Sequence, residues 1–176
     1  MVIVCDVDST VVDLFDYWSW WALNELEDDT YNTELEALYY TTTDPKLLEF
    51  WRQEDLYDDA EPLPHCVETL ERWHNLGMKI VFASQLKGNH HKSKYNFLKR
   101  NFPFMEGFVG TKEKHYIDGD IIIDDRNSFI NQFLNARPWC RAIKFNTPYT
   151  QSEELDKRHT RPDLNIIQYL DNWEEA

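Results

Sequence analysis

Residues 1–10 read MVIVCDVDST, and this stretch decides the fold. Its first five residues are apolar and rich in β-branched side chains, and the run ends at Asp6. A short, continuous apolar run is typical of a strand that is buried on both faces of a parallel sheet. We therefore predict that the chain opens with a central strand whose carboxyl end carries acidic side chains.

Three further strands are predicted downstream, and helical patterns separate them. The strands are residues 79–83, 120–123 and 141–145. The helices are residues 66–76, 92–101 and 128–135, with a short amphipathic helix over residues 164–173. Strands that alternate with helices are typical of an α/β fold with a doubly wound parallel sheet.

A mostly helical insertion is predicted between the first strand and the rest of the sheet. It is rich in Trp, Tyr and acidic residues, and its apolar residues recur at roughly helical spacing. The EPLP sequence at residues 61–64 returns the chain to the sheet, because proline disfavours helix at and before its own position. We expect a catalytic core of residues 1–13 and 62–176, with residues 14–61 as a small cap over the strand ends.

Composition limits the partners and the compartment that we expect. The formal net charge of −14 argues against nucleic acid polymers, because Lys and Arg drive contacts to phosphate backbones. The three cysteines show no CxxC spacing, which favours a reducing compartment over a disulfide framework. The first residues show neither a signal peptide nor a membrane span, so we expect no membrane partner and a cytoplasmic location.

Chemically useful side chains follow three of the predicted strands. Asp6 and Asp8 follow the first strand, and Ser84 follows the second. Asp124 and Asp125 follow the third. Ligands of doubly wound folds bind at the carboxyl ends of the strands, so these side chains are expected to meet. Carboxylates that converge need a cation or a shared proton, and an oxygen-only ligand set suits Mg²⁺.

The sequence DVDST at residues 6–10, after a hydrophobic N-terminal strand, resembles the DxDxT signature of the haloacid dehalogenase superfamily. The resemblance implies a Rossmann-like core in which Asp6 attacks phosphorus and forms an aspartyl-phosphate. It implies that Asp8 protonates the leaving alcohol and then activates water. It also implies that Asp6, the backbone carbonyl of Asp8 and a late acidic residue hold Mg²⁺, and that Ser84 binds phosphate.

A lysine ahead of the third strand is expected to neutralise the transferring phosphoryl group. Lys112 and Lys114 both lie in the segment TKEKHYIDGD that precedes this strand. Residue chemistry alone leaves the choice between them open.

A closer resemblance is to the 5'(3')-deoxyribonucleotidases. It rests on FWRQEDLYDDAEPLP at residues 50–64, YNFLKRNF at residues 95–102 and IIIDDR at residues 121–126. Members of that family use Mg²⁺ to hydrolyse deoxynucleoside monophosphates. The resemblance therefore implies a small phosphomonoester, a nucleotide, as substrate, and it is consistent with a homodimer.

Carried over by position, the resemblance assigns roles to individual residues. Lys114 matches the phosphate-binding lysine, which settles the choice against Lys112, and Lys94 matches a lysine on the following helix. Asp125 matches the metal ligand, and Asp124 would assist the metal.

The base pocket is expected to draw on aromatic residues of the insertion. Trp51 matches an aromatic residue that lines this pocket, and Phe15 lies beside the position of a family phenylalanine. The other candidate aromatic residues are Trp18, Trp20, Trp21, Tyr39 and Tyr40.

Three functions are compatible with these residues. The first is a deoxynucleoside monophosphate phosphatase, and the second is a phosphatase of another small phosphoester such as a sugar phosphate. The third is a non-catalytic acidic protein that occupies a basic partner. The abundance of Trp and Tyr in the insertion favours a nucleotide base over a sugar.

Overall fold

Parallel strands form a single sheet in the computed structural model, which describes residues 1–24, 35–150, 153–161 and 163–176. The six strands in these residues are β1 (Val2–Cys5), β2 (Lys79–Ser84), β3 (Gly107–Gly110), β4 (Ile121–Asp124), β5 (Arg141–Phe145) and β6 (Ile167–Leu170). Their order across the sheet is β3-β2-β1-β4-β5-β6, and every neighbouring pair is parallel. The first strand of the chain therefore lies in the middle of the sheet.

Helices connect these strands. The α-helices in the described residues are α1 (Phe15–Asn24), α2 (Leu35–Thr41), α3 (Pro45–Glu49), α4 (Cys66–Asn75), α5 (His91–Asn101) and α6 (Asn127–Ala136). Short 3-10 helices occupy Phe50–Arg52, Lys114–Tyr116, Pro148–Thr150 and Trp173–Glu175. None of the helices in the described residues has the length and apolar character that a bilayer crossing requires.

The core lies on both faces of β1, as its continuous apolar sequence predicts. Ile3 and Cys5 belong to one buried hydrophobic cluster, and Val4 belongs to a second. Alternate side chains of a strand point to opposite faces, so the two clusters lie on opposite sides of the sheet. Burial of one such aliphatic side chain contributes roughly 1.5–3 kcal/mol, which favours the central position of β1.

The predicted elements are confirmed with two differences. The four predicted strands and three of the predicted helices are present, with each end within one residue of its predicted position. Strand β3 was not predicted, because GFVG is short and half glycine. The predicted helix over residues 164–173 is wrong: the segment contains β6 and the start of a 3-10 helix. Its apolar residues do recur at helical spacing, but hydrogen bonding to the edge of β5 imposes an extended backbone.

A sharp turn after β1 places Asp6 and Asp8 at the carboxyl end of this central strand. The backbone N–H of Asp6 donates to the carbonyl of Ile123 in β4 at 2.8 Å. Ser9 then adopts a left-handed conformation with φ of 55°, which is uncommon for a residue other than glycine. The turn sends the chain into the segment at residues 14–61, here called the cap segment.

The described part of the cap segment is mostly helical, and residues 25–34 lie outside the described residues. An aromatic cluster joins it to the rest of the chain. The ring of Phe15 stacks on Tyr149 at 4.9 Å between centroids, and Tyr39 contacts the same ring edge-to-face at 5.0 Å. The division into a core of residues 1–13 and 62–176 and a cap of residues 14–61 stays a prediction.

Candidate active site

A group of buried carboxylates lies where β1 and β4 end. Asp6, Asp124 and Asp125 each offer an oxygen, and these oxygens all lie within 4.8 Å of one another. Their side chains belong to residues that are 6%, 0% and 1% exposed. Adjacent parallel strands bring their carboxyl ends to one edge of the sheet, which is why residues 118 positions apart converge.

Lys114 provides the positive charge of this group. Its Nζ lies 2.7 Å from Asp6 Oδ1 and 2.6 Å from Asp124 Oδ2, and its side chain is buried. Burial by itself lowers the pKa of Lys114, but the attraction of Asp124 and Asp6 outweighs burial and raises it. Lys114 therefore stays charged between two carboxylates.

Lys114 contacts Asp6 and Asp124, and the third carboxylate, that of Asp125, is the one that favours a further cation. Burial, followed by repulsion from Asp124 and Asp6, raises the pKa of Asp125 well above its usual range. Burial is also the main cause that raises the pKa of Asp6 to about 7. Asp125 Oδ2 is buried without a hydrogen-bond partner, which is costly for a carboxylate oxygen. Unpartnered oxygen and an oxygen-only donor set together fit a hard divalent cation such as Mg²⁺.

The carboxylate of Asp8 accepts hydrogen bonds on both oxygens. Lys94 Nζ and Ser84 Oγ donate to Oδ2 at 2.6 and 3.0 Å, and the Tyr57 hydroxyl donates to Oδ1 at 2.5 Å. Burial raises the pKa of Asp8, but the charge and hydrogen bond of Lys94, with the two hydroxyl donors, lower it overall. These three donors therefore hold the carboxyl group of Asp8 in a fixed orientation.

A cavity opens over these groups. It contains about 460 Å³ of empty space, a figure that includes the part open to solvent. Aromatic rings of Tyr40, Trp51 and Phe129 form part of its wall. Lys87 lies over two of these rings, with its Nζ 5.0 Å from the Trp51 centroid and 5.6 Å from that of Tyr40. The cavity thus combines flat apolar walls with positive charge.

Comparison with known proteins identifies the family. The model of the family described as "5' nucleotidase, deoxy (Pyrimidine), cytosolic type C protein" matches residues 1–167, nearly the whole chain. The chain belongs to this family.

Curated relatives of this nucleotidase family member are deoxyribonucleotidases. The mitochondrial 5'(3')-deoxyribonucleotidase of Mus musculus is 32% identical over 134 residues, which cover 73% of the chain and 58% of the relative. The cytosolic type of Homo sapiens is 26% identical over 123 residues, which cover 66% of the chain and 58% of the relative. The chain thus spans somewhat more than half the length of the curated relatives it matches.

Solved structures show the same fold at low identity. A HAD-superfamily hydrolase from Ehrlichia chaffeensis superposes with a TM-score of 0.58 at 14% identity, covering 99% of this chain and 92% of that one. CbbY from Rhodobacter sphaeroides, solved in complex with phosphate, gives 0.53 at 13% identity, with 99% and 95% covered. The fold is that of the haloacid dehalogenase superfamily.

In this nucleotidase family member, most of the sequence-predicted site residues meet at the cavity. Those that line it are Asp6, Asp8, Trp51, Ser84, Lys114 and Asp125. Lys94 and Asp124 lie behind them as buried partners of Asp8 and Lys114. Phe15 does not line the cavity; it packs against Trp18, Tyr39 and Tyr149 in the aromatic cluster of the cap segment.

Sequence reasoning missed several residues of this family member's site. Tyr57, Lys87 and Arg126 line the cavity, and Lys144 lies under the acidic group. Lys144 Nζ donates to the backbone carbonyl of Asp125 and, at 3.2 Å, to the hydroxyl of Thr150.

Two of the missed residues carried a usable signal. Arg126 directly follows the acidic pair, and Tyr57 lies in the segment FWRQEDLYDDAEPLP. Lys144 reads as an ordinary strand residue, so no local pattern distinguishes it.

Proposed function

We propose that this chain is a Mg²⁺-dependent phosphatase that hydrolyses nucleoside monophosphates, as a 5'(3')-deoxyribonucleotidase, to nucleoside and phosphate. One observation carries the proposal: Asp6, paired with Lys114 at 2.7 Å, lines the same aromatic cavity as the carboxylate of Asp8. A nucleophile, an acid–base group and a cation are thereby directed at one small-molecule site. Family membership and the deoxyribonucleotidase relatives support the same reaction class.

The first step transfers the phosphoryl group to Asp6. A carboxylate oxygen of Asp6 forms a bond to phosphorus while the bond from phosphorus to the nucleoside oxygen breaks. The bonding electrons go to that oxygen, which takes a proton from Asp8 and leaves as the alcohol. Lys114 neutralises charge beside the attacked phosphorus and keeps the Asp6 carboxylate in place.

The second step releases phosphate. A water molecule gives a proton to Asp8 and forms a bond to phosphorus, while the bond between phosphorus and the Asp6 oxygen breaks. Asp8 is the acid of the first step and the base of the second, so its proton is restored at the end of the cycle. The hydrogen bonds to Asp8 from Ser84 and Lys94 keep this carboxylate directed at the cavity.

The metal would be held by the side chains of Asp6 and Asp125 and by the backbone carbonyl of Asp8. When bound, Mg²⁺ supplies positive charge that neutralises the phosphoryl oxygens. Asp124 would contribute indirectly, because it holds Lys114 through a contact of 2.6 Å. Lys144 holds the backbone of the acidic pair from below.

The walls of the cavity support a nucleotide over a sugar phosphate. A flat base can stack on rings such as Tyr40 and Trp51, whereas a sugar phosphate would use polar groups for its hydroxyls. Lys87 and Arg126 offer local positive charge in a chain whose net charge is −14. A cytoplasmic location stays a prediction from the sequence, and a homodimer stays a prediction from the resemblance.

Phosphate release from a substrate panel tests this proposal. The panel contains deoxy- and ribonucleoside 5'- and 3'-monophosphates and several sugar phosphates, each with Mg²⁺ and with chelator. We expect Mg²⁺-dependent release from nucleotides, and we expect Asp6→Asn to reduce it by at least ~10³-fold with an unchanged circular dichroism spectrum. Phosphate release from sugar phosphates alone would show that the substrate is a sugar phosphate and not a nucleotide. No phosphate release from folded protein would favour the non-catalytic function, an acidic protein that occupies a basic partner.

A further inference from the structure

Tyr57, a residue of the cap segment, reaches the carboxylate of Asp8. Its hydroxyl donates to Asp8 Oδ1 at 2.5 Å, across 49 residues of sequence. The residue is 0% exposed, yet it belongs to the cavity wall. A short hydrogen bond in a buried, low-dielectric setting is strong, so this contact restrains the carboxyl group of Asp8.

The position of the Tyr57 hydroxyl is itself restrained. The backbone N–H of Tyr57 donates to Ser93 Oγ at 2.8 Å, and that hydroxyl donates to Asp58 Oδ1 at 2.7 Å. The ring packs against His90 and Phe97, with centroids 5.5 and 6.2 Å away. Both the backbone and the ring of Tyr57 therefore dock on α5, and its side chain has little freedom to turn away.

The two oxygens of Asp8 have different partners. Oδ2 accepts from Lys94 and Ser84, whereas the hydroxyl of Tyr57 is the hydrogen-bond donor to Oδ1 in the part of the chain that the structure describes. The terminal torsion of an aspartate is soft, so hydrogen bonds rather than rotamer preference set the plane of its carboxylate. Loss of the hydroxyl would leave one side of the carboxylate without restraint.

We propose that Tyr57 is a positioning residue that orients Asp8 for proton transfer to the leaving oxygen. The proposal rests on the proposed function. In the first step the proton passes from Asp8 to the leaving oxygen as the phosphorus–oxygen bond breaks, and Tyr57 keeps its own proton throughout. Through Tyr57, the cap segment thus helps to hold the carboxyl group of Asp8 in a fixed orientation.

The proposal predicts a dependence on the leaving group. A nucleoside leaves as a strongly basic alkoxide unless it is protonated, whereas p-nitrophenol leaves as a stable anion without an acid. General acid catalysis contributes ~10²–10⁴-fold to a step that needs it, and misorientation of the acid forfeits part of that factor. Asp8 also acts in the second step, which both substrates share, so the comparison is made on kcat/KM, which reports the first step. We expect Tyr57→Phe to lower kcat/KM for a nucleoside monophosphate by ~10–100-fold and for p-nitrophenyl phosphate by less than ~3-fold.

The experiment measures kcat and KM for both substrates in wild type, Tyr57→Phe, Asp8→Asn and the double variant. Phenylalanine keeps the buried ring, and unfolding midpoints check that the fold is retained. Asp8→Asn is expected to show the same selective loss in kcat/KM, with no further loss in the double variant, because the hydroxyl acts through that carboxylate. Tyr95→Phe is the matched control, since this tyrosine of α5 is 38% exposed, and it should behave as wild type.

Two results would overturn the proposal. One is an equal change, or no change, in kcat/KM for the two substrates on Tyr57→Phe. The other is a further loss in the double variant, or an Asp8→Asn variant without selectivity for the poor leaving group. Failure of the proposed function is distinguishable from both, because folded wild-type protein would then not hydrolyse the nucleoside monophosphate.

Discussion

Replacing Lys114 with methionine removes the cation that lies between two buried carboxylates. The Nζ of Lys114 is 2.7 Å from Asp6 Oδ1 and 2.6 Å from Asp124 Oδ2, and its side chain is 1% exposed. Methionine has a similar length and no charge, so the variant leaves two carboxylates close together without a counter-ion. The expected consequence is a large loss of stability in the metal-free protein.

The magnitude follows from the loss of a buried partner. Removing one member of a buried ion pair costs about 3–5 kcal/mol. Lys114 has two partners, but an uncompensated carboxylate can take up a proton, which limits the total cost. We expect the free energy of unfolding in chelator to fall by about 3–5 kcal/mol, which corresponds to roughly 6–20 °C in Tm for a chain of this length.

The loss of unfolding free energy in Lys114→Met is expected to increase as pH rises. The pKa of Asp6 is already raised to about 7 in the folded protein, and removal of Lys114 raises it further. The folded variant then binds protons that the unfolded chain has released, so its stability falls as pH rises. Above about pH 7 the wild-type Asp6 has ionised while the variant still binds a proton, and the difference in stability grows.

Urea unfolding in chelator, followed by tryptophan fluorescence, measures this difference, with equal m-values as evidence that the same transition is compared. Lys112→Met is the matched control, because Lys112 is exposed and lies in the same segment. We expect the control to remain within ~0.5 kcal/mol of wild type. A Lys114→Met protein within ~1 kcal/mol of wild type, or a difference that shrinks as pH rises, would refute the reasoning.

Two further substitutions test contacts that hold the cavity residues Arg126 and Trp51 in place. Glu153→Gln weakens the bond from Arg126 Nε at 2.8 Å and should cost about 1–3 kcal/mol in urea unfolding at neutral pH. Burial raises the pKa of Glu153, but hydrogen bonds from a backbone N–H and from Arg126 outweigh burial and lower the pKa. The stability that the Glu153 carboxylate contributes is therefore lost as pH falls through this lowered pKa. A difference in unfolding free energy between wild type and Glu153→Gln that persists in acid would contradict this reasoning. Gly88→Ala places a Cβ against the backbone carbonyl of Trp51 and should lower the unfolding free energy by about 1–3 kcal/mol. Gly107→Ala is the control, because no atom of the described residues lies within 4 Å of its new Cβ, and it should have the unfolding free energy of wild type. Equal losses of unfolding free energy in the two alanine variants would argue against a local clash at Gly88.

Much of the sheet could be predicted from local pattern. Strand β1 is a continuous apolar run that an aspartate follows, β2 and β4 contain similar runs, and β5 is apolar apart from Arg141 and Lys144. The edge strands could not be predicted in this way. Strand β3 is short and contains two glycines, and the apolar residues around β6 fit a helix equally well. At an edge, pairing with a neighbouring strand decides the conformation, because intrinsic preference is weak there.

The acidic part of the candidate site could also be predicted. Asp6, Ser84 and Asp125 lie at or directly after the ends of three strands, and a parallel sheet brings those ends together. The cap aromatics could not be assigned, since a ring that packs in a cluster and a ring that lines a cavity have the same sequence pattern. Phe15 belongs to the aromatic cluster, whereas Tyr40 belongs to the cavity wall.

The sequence by itself determined the α/β class, the central strand and the carboxylates at its end, because these depend on short-range periodicity and on where apolar runs stop. The family resemblance selected Lys114 over Lys112, but only the tertiary structure placed Lys114 between two carboxylates, and only it brought the Tyr57 hydroxyl to Asp8. Such contacts join residues far apart in the chain, and they form where loop closure and packing bring the side chains together. Local patterns contain no information about those distances.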